Sequence, residues 1–153
     1  MTEAERADWL RQLAVAHGFP QVAIAPVGPV PRHDAFRDWL AADRCGDMDY
    51  LRRDADARRD PRQLLEAART VLCVAVPYWQ PEPPAPGVRG RVARYAWGED
   101  YHLVLKARLG ALAEAIAAAL GRPVAYRVCV DSAPLLEREV AAQAGLGFMG
   151  KNT

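Results

Sequence analysis

The sequence predicts an α/β (α+β) fold in which helices pack on a central sheet, within one domain over residues 1–153. Helical and strand patterns alternate along the chain, residues 70–78 form a continuous apolar run of strand length, and an Ala- and Leu-rich helical pattern covers about 100–120. With 153 residues, 51% hydrophobic and 25% charged, the chain has the composition of a globular protein and enough length for a core.

The first helix has the clearest local signal. Thr2 and Glu5 form a capping box, which predicts a helix to about His17 that Gly18 ends. Before the apolar run, the sequence predicts a strand over 21–27, a helix over about 34–43, and one or two short helices in the charged stretch 46–65.

The second half is predicted to begin with a strand over 70–78 that is covered on both faces, because its apolar residues are continuous rather than alternating. Residues 80–90 contain four prolines and two glycines, so this segment is predicted to be an exposed loop. Three elements complete the chain: a helix from about Asp100 to Leu120 that Gly121 closes, a strand over 124–130 with alternating side chains, and a helix from about Pro134 to Ala144.

Charge and cysteine content argue against several function classes. The formal net charge of +1 leaves no global basic field for nucleic acid. The acidic, amphipathic N-terminus is unlike a signal peptide, and no apolar stretch approaches about 20 residues, so we expect no membrane span. Cys45, Cys73 and Cys129 form no C-x-x-C pair, so no metal site is predicted, and a reducing, cytoplasmic location is expected.

Asp131 ends the predicted strand over 124–130, and two interpretations fit its position. In the first, Asp131 or Ser132 is the N-cap of the last helix, with Pro134 in its first turn. In the second, the acid lies where open α/β sheets bind ligands, outside the carboxyl end of a strand. A partly desolvated carboxyl group there would have a raised pKa and could transfer a proton.

The sequence AGLGFMGKN contains Gly145, Gly147 and Gly150 in a formal G-x-G-x-x-G spacing. The dinucleotide-binding motif needs a strand before it and a helix after it, whereas here a predicted helix precedes it. We therefore expect Gly145 to be a helix C-cap, followed by a turn with an accessible backbone. Such a turn lets a planar or phosphate-bearing ligand approach the main chain, with Lys151 and Asn152 as donors beside it.

The segment 94–102, RYAWGEDYH, places aromatic, charged and histidine side chains within nine residues. One interpretation is that its aromatic rings are core residues at a junction between a loop and a helix, with Asp100 as the N-cap. The other is that the segment lines a ligand pocket. His17 and His33 are predicted to lie at the surface without partners. The arginine-rich stretch 52–62 is expected to be a solvated face paired with its own aspartates, with a phosphate contact as the alternative.

Several of these segments together resemble the epoxyqueuosine reductase family. The matching sequences are GDMDYL, DPRQLLEAARTVLCVAVPY, RYAWGEDYH and VDSAPLLEREVAAQAGLGFMGKNT, which lie in order over residues 46–153. The combination of RYAxGxDYH, VDSAPxLER and AGLGFxGKNT makes the resemblance highly specific. It implies the N-terminal portion of the enzyme, an incomplete cobalamin-binding domain.

The resemblance implies an oxidoreductase that completes queuosine synthesis in tRNA. The family reduces cobalamin with electrons from two [4Fe–4S] clusters, and the reduced corrinoid removes the epoxide oxygen of epoxyqueuosine at the wobble position. Opening an epoxide builds negative charge on oxygen, so a proton must arrive there, and the family's proton donor corresponds to Asp131 here. The family's cobalamin contacts correspond to Arg58, Ala93, Arg94 and Asp131, with Lys151 and Asn152 as expected neighbours.

One feature departs from the family pattern. The family's C-x-x-C-x-x-C-x-x-x-C-P cluster ligands follow the GKNT sequence, and this chain contains none of them. The resemblance therefore implies a sequence cut in mid-domain and inactive alone, with most of the surface for its tRNA partner missing. It also implies a monomer. The alternatives are a non-catalytic corrinoid- or flavin-binding module, and a flavin or nucleotide reductase on the same α/β scaffold.

Overall fold

The computed structural model describes residues 1–81 and 92–151 of the chain. Its helices are α1 (Glu3–Ala16), α2 (His33–Ala41), α3 (Tyr50–Arg53), α4 (Tyr101–Leu120) and α5 (Glu137–Gln143), and its strands are β1 (Gln21–Pro26) and β2 (Thr70–Ala75). Short 3₁₀ turns occur at Ala57–Arg59, Pro61–Gln63 and Arg94–Ala96. The loop predicted over 80–90 lies mostly outside the described residues. No helix in the described ranges is long and apolar enough to cross a membrane.

The sheet of the described residues consists of β1 and β2. The two strands pair antiparallel, with Gln21 opposite Ala75 and Pro26 opposite Thr70. Pro26 suits the end of the ladder, because it has no backbone N–H to donate. Helices together with a small antiparallel sheet form an α+β fold, so the predicted fold class is confirmed.

The core lies between the sheet and helices α1 and α4. Ala14, Phe19 and Leu112 are fully buried there. Half-buried apolar side chains surround them, namely Leu13, Val22, Leu72, Val74, Val76, Leu105, Leu109 and Ile116. Burial of Phe19 and of Leu112 stabilises the fold by about 1.5–3 kcal/mol each. The core residues of α4, such as Leu109 and Leu112, recur at helical spacing and therefore hold one face of this helix against the core. This packing fixes the position of the first turn of α4 relative to the sheet.

The helix ends follow the predicted capping signals. The Thr2 hydroxyl accepts the Glu5 backbone N–H and the Glu5 carboxylate accepts the Thr2 N–H, so the capping box is confirmed. Asp100 caps α4 through its side chain, and Gly121 ends that helix in the left-handed conformation. Gly145 follows α5 with φ of 79°, as predicted for a C-cap glycine.

The strand predicted over 124–130 is wrong. Residues 123–129 have no regular secondary structure, and among the described residues no backbone hydrogen bond joins this segment to β1 or β2. Val130 is buried and Val128 is half-buried, while Tyr126 is exposed. The alternation of apolar and polar residues over 124–130 therefore reflects partial burial of one side of the segment. A strand also needs a second backbone to pair with, and alternation does not specify that partner.

Two element boundaries also differ from the prediction. β2 ends at Ala75 instead of continuing to 78, and its side chains beyond Thr70 are half-buried rather than fully covered. α5 begins at Glu137 instead of near Pro134, because residues 131–135 form successive bends. Asp131 thus lies in an irregular segment between a core residue and a short helix.

Gly18 joins α1 to β1 with φ of 81°, a left-handed conformation that strains any residue with a Cβ, and an added Cβ would also displace the Arg108 guanidinium from its carbonyl acceptors. We expect Gly18→Ala to destabilise the chain by about 1–3 kcal/mol, measured by urea unfolding. Gly110 provides the matched control, because it lies within α4 and has open space where a Cβ would be. Gly110→Ala should stabilise by about 0.5–1 kcal/mol, and a loss of stability equal to that of Gly18→Ala would contradict this explanation.

Candidate active site

Asp131 stands in the bend before α5 and has a left-handed backbone, with φ of 58°. The N-cap position of α5 is Leu136, and no side chain caps that helix. The interpretation of Asp131 or Ser132 as the N-cap is therefore wrong. Instead, the Asp131 N–H donates to Oε1 of Glu137 over 2.8 Å, which ties the bend to the first turn of α5.

The Asp131 carboxyl group faces the first turn of α4. Its Oδ2 accepts a hydrogen bond from the Tyr101 hydroxyl group over 2.9 Å and lies 3.3 Å from His102 Nε2. The Tyr101 and His102 rings stack with centroids 4.1 Å apart, so their polar atoms converge on one oxygen. The Asp131 side chain is 68% exposed, and the expected desolvation of this carboxyl is not found.

A second carboxylate lies on the other side of His102. Asp100 Oδ1 is 2.8 Å from His102 Nδ1 and also accepts the His102 backbone N–H over 2.9 Å. Each ring nitrogen thus faces a carboxylate oxygen, and each contact needs a proton to be a hydrogen bond. A His102 ring with both nitrogens protonated donates to both carboxylates, and a neutral ring donates to one of them, so a side chain able to carry a proton lies next to the Asp131 carboxyl group.

Hydrogen bonding and burial shift three pKa values around this centre. The hydrogen bond to Asp131, and next to it burial, raises the pKa of Tyr101, so its hydroxyl remains a donor at neutral pH. Hydrogen bonds from the backbone and side chain of His102 lower the pKa of Asp100. Burial raises the pKa of Glu137 above its ordinary value of 4.5, against the opposing effect of the Asp131 N–H.

Arg58 supports the same bend from inside the fold. Its side chain is buried, with 6% of its surface exposed, and packs over the Phe36 ring. Its Nη1 approaches the carbonyl oxygens of Ala133 and Leu135 at 3.5 and 3.4 Å. The Arg58 Nε–H has no acceptor among the described residues. A buried donor without a partner costs about 1–3 kcal/mol, which native folds rarely accept without a functional or structural reason.

An aromatic surface adjoins the Tyr101 side of the centre. Tyr95 meets the Tyr101 ring edge-on with centroids 6.2 Å apart, and the Tyr78 ring edge-on at 6.3 Å. Tyr78 and Tyr95 are both more than half exposed. The interpretation of the aromatics in 94–102 as core residues is therefore wrong for Tyr95, which packs on neighbouring rings and not in the core.

The 3₁₀ turn that follows Ala93 places Arg94 between two tryptophans. The Arg94 guanidinium lies 5.7 Å from the Trp79 ring centroid and 5.5 Å from that of Trp97. Its Nη1 donates to the Gln80 carbonyl over 2.6 Å. Ala93 and Arg94 are exposed, so this turn presents a cation and aromatic faces to solvent beside Tyr95.

Comparisons with known proteins bear on the same region. The family model described as Epoxyqueuosine reductase QueG, DUF1730 matches residues 58–132, from Arg58 to the bend that carries Asp131. The epoxyqueuosine reductase of Xanthomonas campestris pv. campestris is 39% identical over 150 residues, which cover 94% of this chain and 42% of the relative. The epoxyqueuosine reductase of Pseudomonas aeruginosa is 40% identical over 152 residues, which cover 95% of this chain and 40% of the relative. This chain is homologous to part of epoxyqueuosine reductase.

A solved structure extends the similarity to three dimensions. The epoxyqueuosine reductase from Streptococcus thermophilus has a TM-score of 0.82 at 28% identity and covers 94% of this chain and 40% of its own. The chain thus spans about 40% of the length of these relatives, which are oxidoreductases by name. The resemblance to epoxyqueuosine reductase that the motifs indicate is confirmed.

The structure brings together some of the site residues that the epoxyqueuosine reductase motifs predict. Arg58 approaches the bend that begins at Asp131 through the Ala133 and Leu135 carbonyl oxygens, and Ala93 and Arg94 lie at the turn next to Tyr95. Lys151 is exposed and makes no hydrogen bond or salt bridge within residues 1–81 and 92–151. A further predicted neighbour, Asn152, lies outside the described residues. The binding roles of these residues stay predictions.

His33 differs from its predicted place at the surface. It is 4% exposed, and its Nε2 lies 2.7 Å from the Ala55 carbonyl, which supplies the partner that a buried imidazole needs. In the stretch 52–62, Arg62 pairs with Asp60 as predicted, whereas Arg58 turns inward. In the part of the chain that the structure describes, no cluster of three or more His, Cys, Asp or Glu side chains is placed to hold a metal ion.

The sequence placed Tyr101 among the aromatics of 94–102, but it linked neither Tyr101 nor Glu137 to Asp131. The Tyr101 contact with Asp131 spans 30 positions, and its only local signal is that Tyr101 follows the N-cap of α4. Glu137 lies six positions after Asp131, inside the helix predicted from about Pro134, and that spacing does not by itself indicate a bond to the Asp131 N–H. The signal available for Glu137 was its place within the VDSAPxLER motif.

The raised pKa of Glu137 makes stability depend on pH. The folded state binds this proton more tightly than the unfolded chain does, so the free energy of unfolding falls as pH rises above 4.5, until the folded carboxyl group has ionised. Glu137→Gln keeps an oxygen acceptor for the Asp131 N–H but cannot ionise. Its free energy of unfolding should therefore fall less with rising pH than that of the wild-type chain. Urea unfolding of both proteins from about pH 4 to about pH 7 measures the difference, and identical slopes would contradict it.

Arg58→Met keeps an apolar stem over Phe36 but removes the donors to Ala133 and Leu135. Because both hydrogen bonds are long, we expect a loss of about 1–2 kcal/mol in the free energy of unfolding. Arg59→Met is the control, since Arg59 is exposed, and its effect should stay within about 0.5 kcal/mol. Equal effects in urea unfolding would show that Arg58 does not support the bend.

Proposed function

We propose that this chain provides the corrinoid-facing part of a cobalamin-dependent epoxyqueuosine reductase, with Asp131 as the proton donor. The observation that carries the proposal is the Asp131 carboxyl group, which is exposed, held in a left-handed bend and in contact with His102. A general acid must reach its substrate and be supplied with a proton, and this arrangement meets both requirements.

The proposed substrate is epoxyqueuosine at the wobble position of tRNA, and the product is queuosine. Conversion of the epoxide to the alkene breaks both C–O bonds, consumes two electrons and two protons, and releases the oxygen as water. Negative charge develops on the oxygen as the first C–O bond breaks, so a positioned acid lowers the barrier. Asp131 delivers a proton to that oxygen, and His102, oriented by Asp100, returns one to Asp131.

Bound cobalamin would supply the electrons at low potential that the reduction needs. The surface beside Asp131 fits a large ring that carries amide groups, because Tyr95 and Trp79 expose aromatic faces and Arg94 exposes a guanidinium. Arg58, which the resemblance also assigns to the cofactor, is buried and adjoins this bend from inside the fold. The other residues proposed to hold the ring are Ala93, Lys151 and Asn152.

The electron path lies outside this chain in the proposal. Cys45, Cys73 and Cys129 are widely spaced, and burial raises the pKa values of the Cys73 and Cys129 thiols, whereas cluster ligands are thiolates. Two [4Fe–4S] clusters would be bound by protein beyond these 153 residues, as would most of the tRNA. The similarity over about 40% of the relatives' length supports this division.

The second candidate function is a corrinoid- or flavin-binding module without turnover. The wide spacing of the three cysteines favours it, because the chain has no cluster ligands of its own. Both candidates use the surface beside Asp131. They differ in whether the Asp131 proton matters beyond ligand binding, which a substitution that conserves shape can decide.

In the full-length enzyme, Asp131→Asn removes the acidic proton but keeps the side-chain size and an oxygen acceptor for Tyr101. General acid catalysis contributes about 10²–10⁴-fold, so we expect kcat to fall by about 10²-fold or more while cobalamin stays bound. Single-turnover conversion of epoxyqueuosine-containing tRNA and spectrophotometric titration with cobalamin measure the two effects.

The control for this substitution is Asp47→Asn, which changes an exposed carboxylate that makes no hydrogen bond within the described residues. It should leave both measurements unchanged. Near-wild-type turnover of Asp131→Asn would refute the proton-donor role. Loss of cobalamin binding together with turnover would instead favour a binding function for the carboxyl group.

The 153-residue chain supplied with cobalamin and substrate tRNA is expected to show no conversion of epoxyqueuosine, because it contains no cluster ligands. Quantification of queuosine by mass spectrometry of digested tRNA checks this, with a full-length family member as the positive control. Conversion at the rate of the full-length enzyme would contradict the proposed division of the electron path.

A further inference from the structure

We propose that Glu137 is a positioning residue, which holds the backbone of Asp131 in its left-handed conformation and so aims the proton donor. The inference rests on the proposed function of Asp131 and adds a residue that the proposed reaction does not itself use. Glu137 bonds to the main chain of Asp131 and not to its carboxyl group. It therefore acts through Asp131 and does not touch the reacting atoms.

The Asp131 backbone has a conformation that needs support. A residue with a Cβ is less stable in the left-handed region than in the right-handed region, and φ of Asp131 is 58°. Glycine would remove this cost, but it would also remove the carboxyl group that the site requires. Such conformations persist where surrounding contacts fix them.

The Glu137 carboxylate provides such a contact. Its Oε1 accepts the Asp131 N–H over 2.8 Å, and this hydrogen bond needs only an acceptor oxygen, whether charged or neutral. It therefore offsets part of the conformational cost. Glu137 is half-buried in the first turn of α5, and the buried side chain of Val140 anchors that helix, so the acceptor is fixed relative to the bend.

The other contacts at the bend do not replace this one. Tyr101 and His102 contact the end of the Asp131 side chain, and Arg58 approaches carbonyl oxygens further along the bend. The Ser132 N–H donates to the Val130 carbonyl oxygen over 2.6 Å, which closes the turn around Asp131 but leaves the Asp131 N–H to another acceptor. The acceptor of the Asp131 N–H is Glu137. Without this acceptor, the backbone can relax out of the left-handed region and turn the carboxyl group away from Tyr101 and His102.

The first test is hydrogen exchange of the Asp131 amide in the 153-residue chain, followed by NMR with ¹⁵N-labelled aspartate. Glu137→Ala removes the acceptor, so the exchange of this amide should accelerate about tenfold or more, which corresponds to about 1.4 kcal/mol. Glu137→Gln keeps an acceptor oxygen and should leave the exchange within about threefold of wild type.

Two further variants make this test decisive. Glu137→Asp retracts the acceptor by one methylene but keeps the charge, so it should accelerate exchange of the Asp131 amide as Glu137→Ala does. It replaces Glu137→Ala in the test if the alanine variant fails to fold. Arg138→Ala, at the exposed neighbour in α5, should leave the Asp131 amide unchanged. Full protection of that amide in both Glu137→Ala and Glu137→Asp would overturn the proposal.

The second test is turnover of the full-length enzyme with cobalamin bound. Glu137→Ala should lower kcat about tenfold or more, with KM for the tRNA and cobalamin affinity near wild type, and Glu137→Gln should restore most of kcat. Equal losses in the alanine and glutamine variants would show that the charge or proton of Glu137 is required, and would overturn the positioning role. Failure of the proposed function is separate, since it would appear as full turnover of Asp131→Asn with the exchange results unchanged.

Discussion

The hydrogen bond from the Asp131 N–H to the Glu137 carboxylate is the interaction on which the rest of the site depends. It joins an irregular bend to the first turn of α5 and allows a residue with a side chain to adopt a conformation that glycine usually occupies. Because the bend is held at its backbone, the carboxyl group is exposed and still oriented toward α4. The core contributes as well, since Leu112 and its neighbours fix where the first turn of α4 lies.

That first turn supplies the polar partners of the carboxyl group. Asp100 caps the helix and flanks the His102 ring, and Tyr101 donates to the same Asp131 oxygen that His102 approaches. The raised pKa of Tyr101 and the lowered pKa of Asp100 follow from these contacts. The first turn of α4 thus keeps a hydroxyl donor and an imidazole beside an exposed acid, which is the arrangement that protonation of a leaving oxygen requires.

The sequence predicts those features whose signals are local. Asp100 and Gly121 define the ends of α4 within a few residues, and both ends were predictable. The segment 124–130 has a strand-like alternation but no paired backbone, because pairing depends on a partner that alternation does not identify. The resemblance selected Asp131, whereas Tyr101 and Glu137 reach it only after the chain has folded. Long-range contact and an irregular bend leave no periodic pattern, so these two residues could not be found by spacing.

The most direct test of the central claim is a crystal structure of the full-length enzyme with cobalamin bound. We expect the corrin ring against the surface that carries the Asp131 carboxyl group and the exposed rings of Tyr95 and Trp79. The left-handed backbone of Asp131 and its hydrogen bond to Glu137 should be retained. A corrin ring bound on another surface, or an Asp131 carboxyl group turned away from the ring, would contradict the proposed site.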